Sequence, residues 1–149
     1  MDCLKAMMQV ASHFRTRICI EPAVRSLAET HWIAGELVRR TGIGLALDYS
    51  HFVCLGYTQE QIDTLVPYAK HIHQRQARPG HLQAAFDRGT INFPALFGKL
   101  RDSGYRRALA VEFIRQLFAN DRPDDVRTEA VLMRDRFNGW ATGFPDGSL

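Results

Sequence analysis

No apolar run in the 149 residues approaches the roughly 20 that a membrane span needs, so no membrane partner is expected. The opening Met-Asp-Cys-Leu-Lys-Ala-Met-Met lacks the longer apolar stretch of a secretory signal, and none is expected. Cysteine is scarce. Cys3, Cys19 and Cys54 are an odd number without Cys-x-x-Cys spacing, which argues against a disulfide framework or a zinc knuckle. That usage suits a reducing cytosol, so the expected location is cytoplasmic. Positive charge is not concentrated either. The formal charge is +3 and the arginines are spread along the chain, so no basic stripe marks a nucleic-acid surface. Low-complexity segments and internal linkers are also missing. What remains is an ordinary globular composition, long enough for one domain with a real core.

Leu4, Met7, Met8 and Ala11 share one helical face and predict a helix over 2–14. A strand over 17–21 follows and ends at Pro22, which has no N–H for a ladder. Ser26 and Glu29 read as a capping box for a helix carrying Leu27, Ile33, Ala34, Leu37 and Val38, stopping near Thr41-Gly42. Residues 44–48 read as a strand and His51 to Tyr57 as a loop. Thr58 and Gln61 form a second capping box before Ile62, Leu65, Val66 and Ala69. A strand at 70–74 leads into a long polar loop over 75–91, a length that is often functional. Pro94 suits the first turn of a helix with Leu96, Phe97 and Leu100. A strand at 107–112 and a helical stripe of Val126, Ala130, Met133, Phe137 and Trp140 complete the chain. The expected domain covers 1–142, with 143–149 a frayed tail. Strand and helix alternate four times, which predicts an α/β fold with a parallel sheet.

The strands end on polar groups. Asp48 closes the apolar run Gly44-Leu45-Ala46-Leu47, and burying a carboxylate is costly unless it is paired or bound to a metal. Glu21 closes Ile18-Cys19-Ile20, Glu112 closes Leu109-Ala110-Val111, and His71 and His73 flank Ile72. Side chains alternate faces along a strand. Glu21 is in phase with Cys19, Asp48 with Gly44 and Ala46, and Glu112 with Ala108 and Ala110, while the bulky residues take the opposite face. These polar groups lie at the carboxyl ends of their strands, where parallel α/β sheets and barrels bind ligands. Three carboxylates and an imidazole at one end predict a shared divalent-metal site of Mn²⁺, Mg²⁺ or Co²⁺ type, with Zn²⁺ also open. A net negative shell suits a neutral polyol or hydroxy-ketone better than a phosphate.

Ile18-Cys19-Ile20-Glu21-Pro22, Leu47-Asp48-Tyr49-Ser50-His51, His71-Ile72-His73, Gly89-Thr90-Ile91-Asn92-Phe93, and Gly104-Tyr105 leading to Val111-Glu112 occur in this order. In these motifs the chain resembles the xylose isomerase-like TIM barrels, the sugar phosphate isomerase/epimerase superfamily, over residues 4–138. The resemblance implies a partial TIM barrel, its four βα units corresponding to the last four strands of a (β/α)8 barrel. It implies metal ligation by Glu21, Asp48, His73 and Glu112, with Glu21 and Glu112 as the acid/base pair. It implies that His51 contacts a substrate oxygen, and that an arginine after the metal histidine does so too, Arg78 first and Arg75 as the alternative. Asn92 stands where many relatives carry Asp and takes no role.

The implied activity is a divalent-metal-dependent isomerase or epimerase moving a proton on a sugar or hydroxy-ketone through an enediolate. A full barrel needs eight strands and about 250 residues. The first half would come from a second copy in a homo-oligomer or from a complementary N-terminal half barrel, or the chain is a truncated gene product. The alternative function is therefore a non-catalytic half barrel that acts as a remnant or interaction module. An endonuclease IV-like repair activity is disfavoured, because residues 74–92 hold no Asp-x-His.

Overall fold

The computed structural model describes residues 2–115 and 125–142. Six α-helices and four strands follow one another: α1 Asp2–His13, β1 Cys19–Ile20, α2 His31–Thr41, β2 Gly44–Asp48, α3 Tyr49–Cys54, α4 Gln59–Asp63, β3 Ala69–Gln74, α5 Phe93–Asp102, β4 Leu109–Val111 and α6 Val126–Ala141. The strands form one parallel sheet in the order β1-β2-β3-β4, the α/β arrangement of a partial TIM barrel. Asp48 is level with His73, and His73 with Ala110, so the polar strand ends fall in line. The expected tail at 143–149 lies outside the described residues.

The two faces of the sheet differ as the alternation requires. Leu45, Leu47 and Ile72 are fully buried against the helices, and such side chains are worth about 1.5–3 kcal/mol each. Ala46, His71, His73 and Ala110, on the other face, stay partly open. Helix α6 closes the end of the core through aromatic contacts. Phe137 meets Phe93 and Phe97 edge-on at 5.0 and 5.1 Å, and Trp140 stacks on Phe93 at 6.3 Å.

Three local expectations changed. Helix α2 begins at His31, not near Ser26. Thr30 is its N-cap, whereas the Ser26 hydroxyl accepts from the Ala28 N–H and the Glu29 carboxylate from the Arg25 N–H. Arg25 is left-handed at φ 66°, which no helix can absorb, so this stretch makes turns and leaves Leu27 exposed. The Thr58–Gln61 capping box forms in both directions, but α4 lasts five residues before Pro67 diverts the chain into a 3-10 turn at Val66–Tyr68. The loop expected over His51 to Tyr57 begins instead inside helix α3, Tyr49–Cys54, with Asp48 as its N-cap.

The 75–91 loop is ordered from within. Gln76 is buried, and its amide nitrogen donates to the Phe86 and Ile91 carbonyls while its oxygen accepts from the Ala77 and Ile91 N–H groups. Gly89 presses its backbone onto the Gln76 side chain, so a Cβ there would overlap it. Gly89→Ala should therefore lower stability by about 1–3 kcal/mol, the usual range for overpacking. Urea unfolding measures it, and a loss below about 0.5 kcal/mol would show that Gln76 is free to move aside.

Candidate metal centre

The four side chains at the heart of the centre come from the carboxyl ends of the strands. Glu21 follows β1, Asp48 ends β2 and starts α3, His73 lies in β3, and Glu112 follows β4. The ladder continues one step past β4, because the Glu112 N–H donates to the Gln74 carbonyl at 2.9 Å. Gln83 then fixes the chain beyond Glu112, its amide pairing with both the N–H and the carbonyl of Ile114. His71 and His73 protrude from the same face and meet edge to face at 4.7 Å, which limits rotation of the His73 ring. Burial, and then the charge of His73, push the His71 imidazole below its ordinary pKa.

Two triads converge, and Glu21 belongs to both. In the first, Glu21, His73 and Glu112 each offer a ligand atom, all within 4.8 Å of one another. His73 Nδ1 lies 3.0 Å from Glu112 Oε2 and 3.4 Å from Glu21 Oε1. Glu112 Oε2 is buried and faces His73 Nδ1 without a well-formed hydrogen bond. Two carboxylates with an imidazole between them are a donor set that a divalent cation such as Mn²⁺ fits.

The second triad is Glu21, Asp48 and His51. His51 Nε2 faces Glu21 Oε1 at 3.7 Å and Asp48 Oδ2 at 3.8 Å. Its Nδ1 accepts the Val24 N–H at 3.2 Å, which assigns the proton of the neutral ring to Nε2, with Arg75 Nη2 a further 3.3 Å neighbour of that nitrogen. The N–H of His51 is the first cause holding the Glu21 carboxyl below its ordinary pKa; partial burial opposes it and the charge of His73 adds to it. Glu21 is thus kept ionised while still accessible.

Asp48 is 1% exposed and fully engaged. Its Oδ1 accepts the Ser50 N–H at 2.8 Å, the cap of α3, and its Oδ2 accepts from Arg75 Nη2 at 2.8 Å. Arg75 is itself 2% exposed and reaches the Ser50 hydroxyl at 3.0 Å and the Glu112 carbonyl at 3.4 Å. The structure thus gathers Glu21, Asp48, His51, His73 and Glu112, and brings Arg75 into the group. Arg78, the first candidate for a substrate-contacting arginine, lies on the exposed turn, paired through its backbone with His81. The part of Arg75 as a partner of Asp48 had one sequence signal: a buried aspartate needs a cation, and Arg75 lies two residues past His73, just beyond the end of the neighbouring strand.

The sequence profile of the xylose isomerase-like TIM barrel family matches residues 1–136. No curated protein matches significantly. Among solved structures, the chain is similar to the 3-keto-D-glucoside 4-epimerase YcjR of E. coli, at 20% identity and a TM-score of 0.63, covering 90% of this chain and 51% of that one. It is similar to an L-ribulose 3-epimerase at 18% identity and a TM-score of 0.65, covering 93% and 52%. It is also similar to the probable 3-DHS dehydratase AsbF of Bacillus anthracis, at 15% identity and a TM-score of 0.64, covering 91% and 55%. The chain therefore spans about half the length of the solved structures it matches. Among the described residues no helix is long and apolar enough to cross a membrane. The profile match runs through all four βα units and takes in all five gathered acid and imidazole groups, and on that ground the chain belongs to the xylose isomerase-like TIM barrel family.

Proposed function

We propose that this chain is the proton-handling half of a divalent-metal-dependent isomerase or epimerase acting on a sugar or hydroxy-ketone. The observation that carries the reading is the convergence of Glu21, His73 and Glu112 at the carboxyl end of the sheet. Glu21, Asp48, His73 and Glu112 would hold the cation, with ligand atoms of Glu21, His73 and Glu112 within 4.8 Å of one another. When bound, a cation such as Mn²⁺, Mg²⁺, Co²⁺ or Zn²⁺ would polarise a carbonyl oxygen and acidify the neighbouring C–H. The residues do the rest. One glutamate carboxylate takes the proton from carbon, which leaves an enediolate, and the other returns a proton to the same or the adjacent carbon. His51, with its proton on Nε2 and its ring anchored by Val24, is placed to donate to a substrate oxygen. His71 keeps the His73 ring from turning.

Deuterium wash-in tests this reading. The full chain with Mn²⁺ in D2O should place deuterium beside the carbonyl of a member of a ketose and keto-glycoside panel, followed by proton NMR, and EDTA should stop it. Metal-independent wash-in, or none with any member, would sink the catalytic reading.

A second reading has its own support. The outer edges of β1 and β4 pair with no strand among the described residues, and the inner face stays partly open. Open edges of this kind invite pairing. We infer that a second set of βα units, from another copy or from a complementary half barrel, completes the wall of the site. Sedimentation of the chain alone should show self-association or a poorly compacted species. A compact, cooperatively folding monomer would remove this expectation.

A further inference from the structure

We propose that the amino end of the sheet, around Arg17, Lys70 and Arg107, is a docking surface for a complementary half barrel that carries carboxylates there, and that a second copy of this chain is the wrong partner. This rests on the reading that further βα units complete the wall of the site. The register of β2 on β3 shifts between Leu45 and Ala46, which pair with Ala69 and His71. Lys70 is the residue left over, the extra one of a bulge. Ala69 and Ile72 are buried, whereas Lys70 is exposed. Gly44 leaves the room that the Lys70 stem takes up. A Cβ there would overlap Lys70 Cγ and lie 3.2 Å from Cys19 Sγ. Gly44 is level with Cys19 and in phase with Ala46, so Lys70 lies across the inner face of the sheet, the face that a completed barrel encloses.

Two more cations flank the open edges. Arg17 and Arg107 each stand two residues before an outer strand, β1 and β4, and both are exposed. A groove of about 400 Å³ holds Arg17 and Lys70 beside Gly44, and another of about 440 Å³ holds Lys70 with Arg106 and Arg107. Cys19 marks the shared region: burial pushes its thiol up, and Lys70, Arg107 and Arg17 all pull the other way. No carboxylate lines either groove, and among the described residues none pairs with Arg17, Lys70 or Arg107. The acids of the sheet, Glu21, Asp48 and Glu112, are all at its other end.

Charge then chooses the partner. A wall that continues the parallel sheet lays one new strand beside β1 and another beside β4. In a second copy these would be its own β4 and β1. Arg17 would meet Arg107 across both seams, and two Lys70 side chains would share the interior. Like charges set face to face oppose association, and a lysine closed off from water needs an opposite charge. A half barrel with Asp or Glu at the amino ends of its outer strands and opposite Lys70 satisfies all three cations.

The test mixes the native chain with a charge-reversed form, Arg17→Glu, Lys70→Glu, Arg107→Glu, whose amino end stands in for an acidic half. Sedimentation velocity follows the complex. The mixture should form a one-to-one complex at least about tenfold tighter than either form makes with itself, and raising the salt from about 0.1 M to about 0.5 M should weaken it. Self-association of the native chain as tight as the mixture would show that a second copy is accepted; it would overturn the proposal and leave the completed wall standing. A mixture no tighter than its parts would overturn it as well. A compact, cooperatively folding native monomer that binds neither form would end the wall reading and the proposal together. If the triple variant unfolds, Arg17→Glu, Arg107→Glu, which alters only exposed side chains ahead of the strands, repeats the test at the two seams with the same outcomes deciding.

Discussion

Arg75→Met is expected to remove about 3–5 kcal/mol of stability, the cost of leaving a buried carboxylate without its partner. Domains of this size hold roughly 5–15 kcal/mol in all, so the variant should sit near the edge of folding. The size of the effect follows from where the pair lies. Asp48 and Arg75 are both almost fully buried, and the guanidinium also ties Ser50 and the Glu112 carbonyl. Truncation would thus loosen β2, the start of α3 and the strand end carrying Glu112 together. The double variant Asp48→Leu, Arg75→Met should recover much of the loss, because it removes both charges and keeps apolar volume. Urea unfolding of the two variants decides the point. A single variant within about 1 kcal/mol of the native protein would mean that the pair is hydrated in solution, as exposed pairs of that worth are.

The strands and their polar ends were legible because period-two alternation is a strong local signal. Leu45 and Leu47 against Ala46 and Asp48, or Ile72 against His71 and His73, can be read without knowing the sheet. Helices α1, α5 and α6 were legible from the three-and-four spacing of a helical face, as in Leu4, Met8 and Ala11, or Met133, Phe137 and Trp140. Helix starts were harder. Ser26–Glu29 and Thr58–Gln61 look alike as capping boxes, and only the second caps a helix. The deciding fact is the left-handed backbone at Arg25, which no side-chain pattern announces. Asp48-Tyr49-Ser50 carried a plain N-cap signal that identifies α3, but α3 is six residues long and its apolar residues bury all round, so it has no stripe to read. The 75–91 loop has little secondary structure, and its order comes from one glutamine amide satisfying four backbone groups, a long-range fact.

The gathering of the site was legible at the level of strand ends and no further. Glu21, Asp48, His73 and Glu112 do meet at one end of the sheet. The division of labour among them was not, because it turns on which carboxylate oxygen is already occupied. A charge inventory sees three acids and one imidazole. The folded chain adds Arg75, which is two residues beyond His73 and so in the same phase. It lies just past the end of β3 at Gln74, and its guanidinium reaches Asp48 at the end of the neighbouring strand.

The largest kinetic effect is expected from Glu21→Gln and Glu112→Gln. On the proposed isomerase or epimerase reading, each should slow turnover by about 10²–10⁴-fold at saturating Mn²⁺, the usual weight of one general acid or base. The two carboxylates approach His73 from β1 and β4, on opposite flanks of β3, so they can address a substrate carbon from two sides. That geometry makes the two losses unequal in kind. If each glutamate serves one face, a variant loses inversion but keeps deuterium wash-in from the epimer whose proton meets the remaining carboxylate. Glu21→Gln and Glu112→Gln should then retain wash-in with opposite epimers. Saturating metal matters, because each variant also removes a ligand and the affinity loss must not be mistaken for a loss of proton transfer. Proton NMR of each epimer in D2O follows both quantities in one experiment. Epimerisation within about threefold of the native rate in either variant, far below the expected general-base effect, would take that glutamate out of the proton path. Wash-in retained by both variants with the same epimer would mean that both carboxylates work on one face, which favours proton transfer between adjacent carbons over inversion at one.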